Sequence, residues 1–149
     1  MIVDGLDGAR ALAGRELGPS AWLEVTQARV DAFAECTDDH QWIHVDPERA
    51  AAGPFGATIA HGLLTLSLVV RFWEELVEVQ GVRLVVNYGL NRVRFPAPVP
   101  VGARIRGRFT VVDVVEVAGG VQATSTALVE LEGGEKPACA AELVLRFLA

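Results

Sequence analysis

The chain has 149 residues and a mass of 15.9 kDa, the size of one ordinary domain, and its 51% hydrophobic and 21% charged residues supply a core and exclude intrinsic disorder. Thirteen Lys and Arg against nineteen Asp and Glu leave a net charge of −6; nucleic acid and anionic membranes select basic surfaces, so neither is expected as a partner. Cys36 and Cys139 stand in neither a CxxC nor a Cys/His ligand spacing, which argues against zinc and a disulfide framework and suits a reducing cytoplasm.

The first residues carry two Asp before any Arg and no continuous apolar run, unlike a secretory signal. Thr26 caps a predicted helix that runs through Glu35 or Cys36, with Ala28, Val30, Phe33 and Ala34 as its buried stripe and Cys36 as a small core residue. The polar stretch TDDHQ ends it, and Pro47 opens a second short turn, PERAAAG, closed by Gly53 and Pro54. From Gly62 to Val79 apolar residues fall on every side of a helical wheel, which predicts a helix buried all round. Its richest stretch, Leu63 to Val70, is interrupted by Thr65 and Ser67 and stops at Arg71, too short to span a membrane.

Beyond residue 80 the apolar period changes to two. Four strands are predicted, carried by Val82 to Leu90, Ile105 to Val111, Val121 to Leu131 and Cys139 to Phe147, each with one wet face. Arg104, Arg106, Arg108, Glu130, Glu132, Glu142 and Arg146 occupy those wet faces. The alternation slips at Asn91, which predicts a bulge before the Pro96, Pro98 and Pro100 loop, and Gly119-Gly120 and Gly133-Gly134 read as hairpin turns. Helices come first and strands after. One buried helix with a one-sided antiparallel sheet packs most simply as a sheet curled around the helix, an α+β arrangement of hotdog type in a single domain over residues 1–149. The uncovered edge strand predicts a homodimer.

Chemistry-bearing residues crowd into one stretch. Asp38, Asp39, His40, His44 and Asp46 follow the first helix and lead toward His61. On a helix Asp39 and His44 would be separated by about 140° of rotation, so they converge only if the segment curls as a loop. A carboxylate and an imidazole that meet there can grip one water and move its proton; solvated histidines on an exposed acidic loop are the plain alternative. A metal held by His40 and His44 with Asp38, Asp39 or Asp46 is a further reading, though no HExxH occurs. Gly62 opens the long helix, where free N–H groups and the positive dipole end can receive a carbonyl oxygen, or where glycine simply eases a tight turn. Ser67 either bonds back to the Leu63 carbonyl or orients a loop carboxylate.

Residues 37 to 70, TDDHQWIHVDPERAAAGPFGATIAHGLLTLSLVV, resemble the hydratase motif of the MaoC-like dehydratases, the (R)-specific enoyl-thioester hydratases of the hotdog superfamily. NYGLNRVRFPAPVPVG, residues 87 to 102, is similar to the strand and loop that follow the helix in the NodN-like branch. The resemblance implies catalytic roles for Asp39 and His44, an oxyanion-binding amide at Gly62 and a support for Asp39 at Ser67. It implies a trans-2-enoyl thioester on CoA or an acyl-carrier phosphopantetheine as substrate, an acyl-carrier protein as a candidate partner, and no metal or redox cofactor. Many relatives read Gly-Asp-x-Asn-Pro-x-His; here Asp38, Gln41 and Trp42 replace the glycine, asparagine and proline, which places a longer amide and a bulky ring beside the water site. Gln41, Trp42, Leu63, Leu66 and Trp73 are the expected substrate lining. A hotdog thioesterase and a non-catalytic acyl-thioester-binding subunit are the competing functions.

Overall fold

The computed structural model describes residues 1–149. In chain order its elements are β1 (Ile2–Asp4), α1 (Gly5–Arg10), β2 (Glu16–Leu17), β3 (Leu23–Glu24), α2 (Gln27–Thr37), α3 (Trp42–Val45), α4 (Pro47–Ala51), α5 (Gly62–Leu76), β4 (Glu78–Gln80), β5 (Leu84–Arg94), β6 (Arg104–Val117), β7 (Gly120–Leu131) and β8 (Cys139–Leu148). Three short strands therefore precede the first long helix, a correction to the order read from the apolar period. Two or three residues are too few to show an alternation.

Sheet order is β2-β6-β7-β8-β5, with β3 also pairing β6, and every pairing within it is antiparallel. The inner face is built from alternate residues of the long strands. Ile105, Phe109 and Val111, then Val121, Ala123, Ala127 and Val129, then Cys139, Leu143, Leu145 and Phe147 are all buried. They close on Leu64, Leu68, Val69, Phe72 and Trp73 of α5, and one apolar cluster joins both layers. Burying a side chain of this size stabilises the fold by roughly 1.5–3 kcal/mol. The outer face carries the charges. Across β6 and β7, Arg104 pairs with Glu132, and Glu130 receives both Arg106 and Arg108.

Gly120 begins β7 where a Cβ would lie 1.9 Å from the Phe147 carbonyl oxygen, so β8 can pack this closely on the start of β7 only with glycine there. The predicted cap is found: Thr26 accepts a hydrogen bond from the Arg29 N–H at 3.3 Å, and Asp46, not foreseen as a cap, accepts from Arg49 N–H at 3.0 Å ahead of Pro47.

Three expectations change in space. The long helix is not buried all round, because Leu63, Ser67, Arg71 and Glu74 form one exposed stripe. Leucine alone among these four is apolar, and it is 60% exposed. The strand β5 has no buried residue, since it lies at the sheet edge. Its register slips between Asn91 and Arg94, as predicted, and also between Asn87 and Gly89. Cys36 is exposed on α2, not part of the core, whereas Cys139 is buried and its burial pushes the thiol up to about 11. No helix is long and apolar enough to cross a membrane.

Candidate active site

The loop between α2 and α5 folds back on itself through its own polar groups. At the end of α2, Asp38 takes φ 58°, a left-handed conformation. Glycine is the usual residue in that conformation, and Asp tolerates it better than most; this accounts for the glycine that many hydratase motifs carry at the position. The chain then turns into α3, where Gln27 anchors it. The Gln27 amide donates to the His44 carbonyl oxygen at 2.7 Å and to Asp31 at 2.7 Å, while its own oxygen accepts from buried Thr58 at 2.6 Å. Ile59 N–H closes the fold by donating to the Ile43 carbonyl at 3.0 Å.

These bonds leave the His44 ring buried, with Nδ1 donating to the Ile59 carbonyl oxygen at 2.7 Å. Because a carbonyl oxygen only accepts, Nδ1 carries the proton and Nε2 of the neutral ring is a bare acceptor. Burial is the main reason that the His44 pKa lies below its ordinary value; the nearby His61 lowers it further, while the bond to Ile59 and the Asp39 carboxylate oppose the shift. The neutral form is thus the resting form at neutral pH.

His61, absent from the residues singled out for chemistry in the sequence, joins this group. Its ring stacks on His44 with centroids 3.8 Å apart and planes at 25°, and its Nε2 bonds the Asp39 main-chain oxygen at 2.9 Å. One carboxylate oxygen of Asp39 and one ring nitrogen each of His44 and His61 lie within 4.8 Å of one another. The signal was present as the His-Gly pair at the helix start; its burial could not be read from spacing.

That trio could suggest a metal, but the geometry disfavours it. Imidazole lone pairs lie in the ring plane, and two nearly parallel planes do not meet within a metal–nitrogen bond of about 2.1 Å. His40 points elsewhere, 3.8 Å from Glu35. A separation of up to 4.8 Å is instead one that a single water, with hydrogen bonds of about 2.8 Å, can bridge.

His44 opens onto a cavity of about 350 Å³. Gly62 and Thr65 line it from α5, and Phe55, Ile59, Phe95, Pro98, Val99 and Ala138 supply apolar walls. Gly62 has no partner for its N–H among the backbone bonds outside regular elements, and as the first helical residue it has no earlier turn to donate to. Its missing side chain has a second use: a Cβ there would stand 2.9 Å from the Phe95 ring.

The structure corrects the other assignments. Ser67 is exposed and its hydroxyl donates to the Leu63 carbonyl at 2.8 Å, with no bond to Asp39; its position on the outer stripe of α5 turns it from the loop. Leu63, Leu66 and Trp73 do not line this cavity, because α5 directs them to solvent, to the flank of the core and to the edge of Phe109, whose ring centroid is 5.4 Å from that of Trp73. Gln41 is exposed, and Trp42 packs beside Gly53 beneath the Arg49 guanidinium, 4.5 Å from its ring. Neither enters the cavity.

A family model described as the MaoC like domain matches residues 9–132. The chain belongs to that family. The MaoC-like chain is 56% identical over 140 residues to 3-hydroxyacyl-thioester dehydratase Z of Mycobacterium tuberculosis, covering 93% of each. It is 45% identical over 135 residues to Nodulation protein N of Rhizobium leguminosarum bv. viciae, covering 88% of this chain and 83% of the other. Among solved structures, the (R)-hydratase from A. caviae involved in PHA biosynthesis superposes with a TM-score of 0.73 at 27% identity, covering 89% of this chain and 94% of that one. The MaoC-like chain thus shares the hotdog architecture, its antiparallel sheet wrapped on α5.

Proposed function

We propose that this protein is a hydro-lyase that adds water to trans-2-enoyl thioesters with (R) specificity and, in reverse, dehydrates (R)-3-hydroxyacyl thioesters. The observation that carries the reading is the bare Nε2 of buried His44, which lines one cavity together with Gly62, with the Asp39 carboxylate close enough to share one water. The names of the relatives, a 3-hydroxyacyl-thioester dehydratase and an (R)-hydratase, agree with it.

In hydration the Asp39 carboxylate takes a proton from the water that His44 orients. The oxygen bonds to C3, the C2–C3 π pair moves toward the thioester oxygen, and the Gly62 N–H faces the charge that develops there. C2 then takes the proton from Asp39, which restores the base. Water is added across one bond with nothing oxidised or reduced, so acid/base groups and an amide suffice without a metal or redox cofactor. The apolar walls suit an acyl chain delivered on CoA or on the phosphopantetheine of an acyl-carrier protein. Two free thiols fit a cytoplasmic setting.

The working unit in this reading is a homodimer of one-domain chains. An edge strand presents unpaired backbone groups, and β5 adds exposed Leu84, Val85, Tyr88 and Leu90. Exposed Phe55, Leu63 and Phe95 extend this apolar surface to the cavity and to the head of α5. A second copy covering them would also lengthen the groove for a pantetheine arm.

The deciding experiment follows the conjugated enoyl absorbance over a series of enoyl-CoA chain lengths, with a thiol reagent in parallel. Loss of conjugation without free thiol supports a hydratase. Thiol release would make the protein a thioesterase, and binding without turnover would make it a non-catalytic subunit.

A further inference from the structure

His61 performs no step in the reaction above, yet it is 2% exposed and touches both groups that do. Its ring lies against His44 at 3.8 Å on one side, and the Phe33 ring is 4.9 Å away at a tilt of 49°. Its Nε2 meets the Asp39 main-chain oxygen at 2.9 Å. That oxygen only accepts, so Nε2 is the protonated nitrogen. Nδ1 is buried with no hydrogen-bond partner, the one such side-chain atom in the chain. Buried polar atoms are nearly always paired, and an apolar ring would fill the same space without the orphan. The retained imidazole therefore points to a need for both of its properties at once: a flat face against His44 and an N–H aimed at Asp39.

We propose that His61 is a positioning residue whose ring fixes the rotation of the His44 imidazole and whose Nε2–H holds the Asp39 main chain, so that one side chain sets the distance between base and orienting group. The inference deepens the hydratase reading and rests on it. Neither function can be supplied by a neighbour. The bond from His44 Nδ1 to Ile59 fixes one ring atom but permits the ring to tip about that bond, and the stack removes the tipping. Asp39 is exposed on the loop after α2, with no other hydrogen bond from a side chain to its main-chain oxygen. The groups that face His44 are Asp39 from that loop, His61 from the head of α5 and the Ile59 carbonyl; the residues that line the cavity beside His44 are uncharged.

The two functions separate in two variants. His61→Phe keeps the flat ring and loses the donor, while His61→Gln keeps a donor and loses the stack. Each is expected to lower kcat by roughly 10- to 100-fold, the usual consequence of misplacing a reacting group by about an ångström, with KM within about twofold. In H61Q the His44 ring titration, followed by ¹⁵N NMR, should also move to higher pH, since a group that holds the ring neutral is gone; in H61F it should move less. That NMR readout needs no turnover, so it tests the coupling even if the protein hydrates no enoyl thioester, an outcome that would sink the hydratase reading alone. Unchanged kcat together with an unchanged His44 titration in folded H61Q overturns the proposal. Loss of far-UV circular dichroism in both variants also overturns it, by making His61 a residue of the core.

Discussion

His44 Nδ1 donates to the carbonyl oxygen of Ile59 at 2.7 Å, and this bond decides which side of the imidazole can react. It commits the proton to the side facing the chain and leaves Nε2 as the acceptor. A reading of Asp39 and His44 as partners on one water follows from that tautomer. Asp39→Asn and His44→Ala should each lower kcat by roughly 10²- to 10⁴-fold. The double variant should be barely worse than the worse single, because the two serve one proton transfer. Steady-state kinetics on purified variants checks this, and full activity in either single variant rejects the assignment.

The lowered pKa of His44 gives a signed pH dependence. Folded His44 resists protonation, so as pH falls below the ordinary histidine value of about 6.5 the unfolded chain takes up its proton first. Stability that is full above that value is therefore lost as pH falls from about 6.5 toward the lower folded pKa, where the loss is complete. His44→Gln should flatten this part of a urea-midpoint-against-pH curve. In the wild type, the acidic limb of kcat/KM should lie below pH 6.5.

Ser67→Ala should be nearly silent. The hydroxyl is exposed and bonds back to Leu63 in its own helix, so its removal changes stability by a few tenths of a kcal/mol at most. Both kcat and the pH profile should match the wild type; a several-fold loss of kcat would show that Ser67 acts on the loop after all.

Thr58→Val tests the anchor beneath the site. It preserves shape but leaves the Gln27 oxygen without its donor at 2.6 Å, at a cost of about 1–3 kcal/mol, or a melting point lower by roughly 2–12 °C. Because the same amide holds the His44 carbonyl, kcat should fall a few-fold as well. Thermal melts and kinetics on one preparation would show the two effects together, and an unchanged melting point would count against the network.

Leu90→Lys tests the dimer. Leu90 is 39% exposed on β5, so a charge there leaves the monomer core intact and opposes burial against a second copy. Light scattering should give twice the 15.9 kDa chain mass for the wild type and the single chain mass for the variant, with activity lost. A wild-type monomer that turns over substrate would reject the dimer reading.

Much of this molecule is legible in its sequence because the relevant forces are local. Period-two alternation in residues 105 to 147 follows from side chains that point to opposite faces of a strand, and the cap at Thr26 acts within three residues. The run from Asp39 to Gly62 is legible for a different reason, its resemblance to a family motif, which spacing alone does not supply. What tertiary structure alone decided are the contacts across long sequence separations. Helical periodicity shows that α5 is apolar, but only the sheet's position shows that Leu63 and Ser67 face outward while Leu64 and Thr65 face in. The cavity walls come from Phe95 and Ala138 and not from the helix leucines, because the β5 edge and the segment before β8 close over Gly62. His61 is seventeen residues from His44 in the chain and in contact with it in space. Such stacking is fixed by how the loop after α2 folds against the head of α5, and no spacing rule for one helix or strand contains that information.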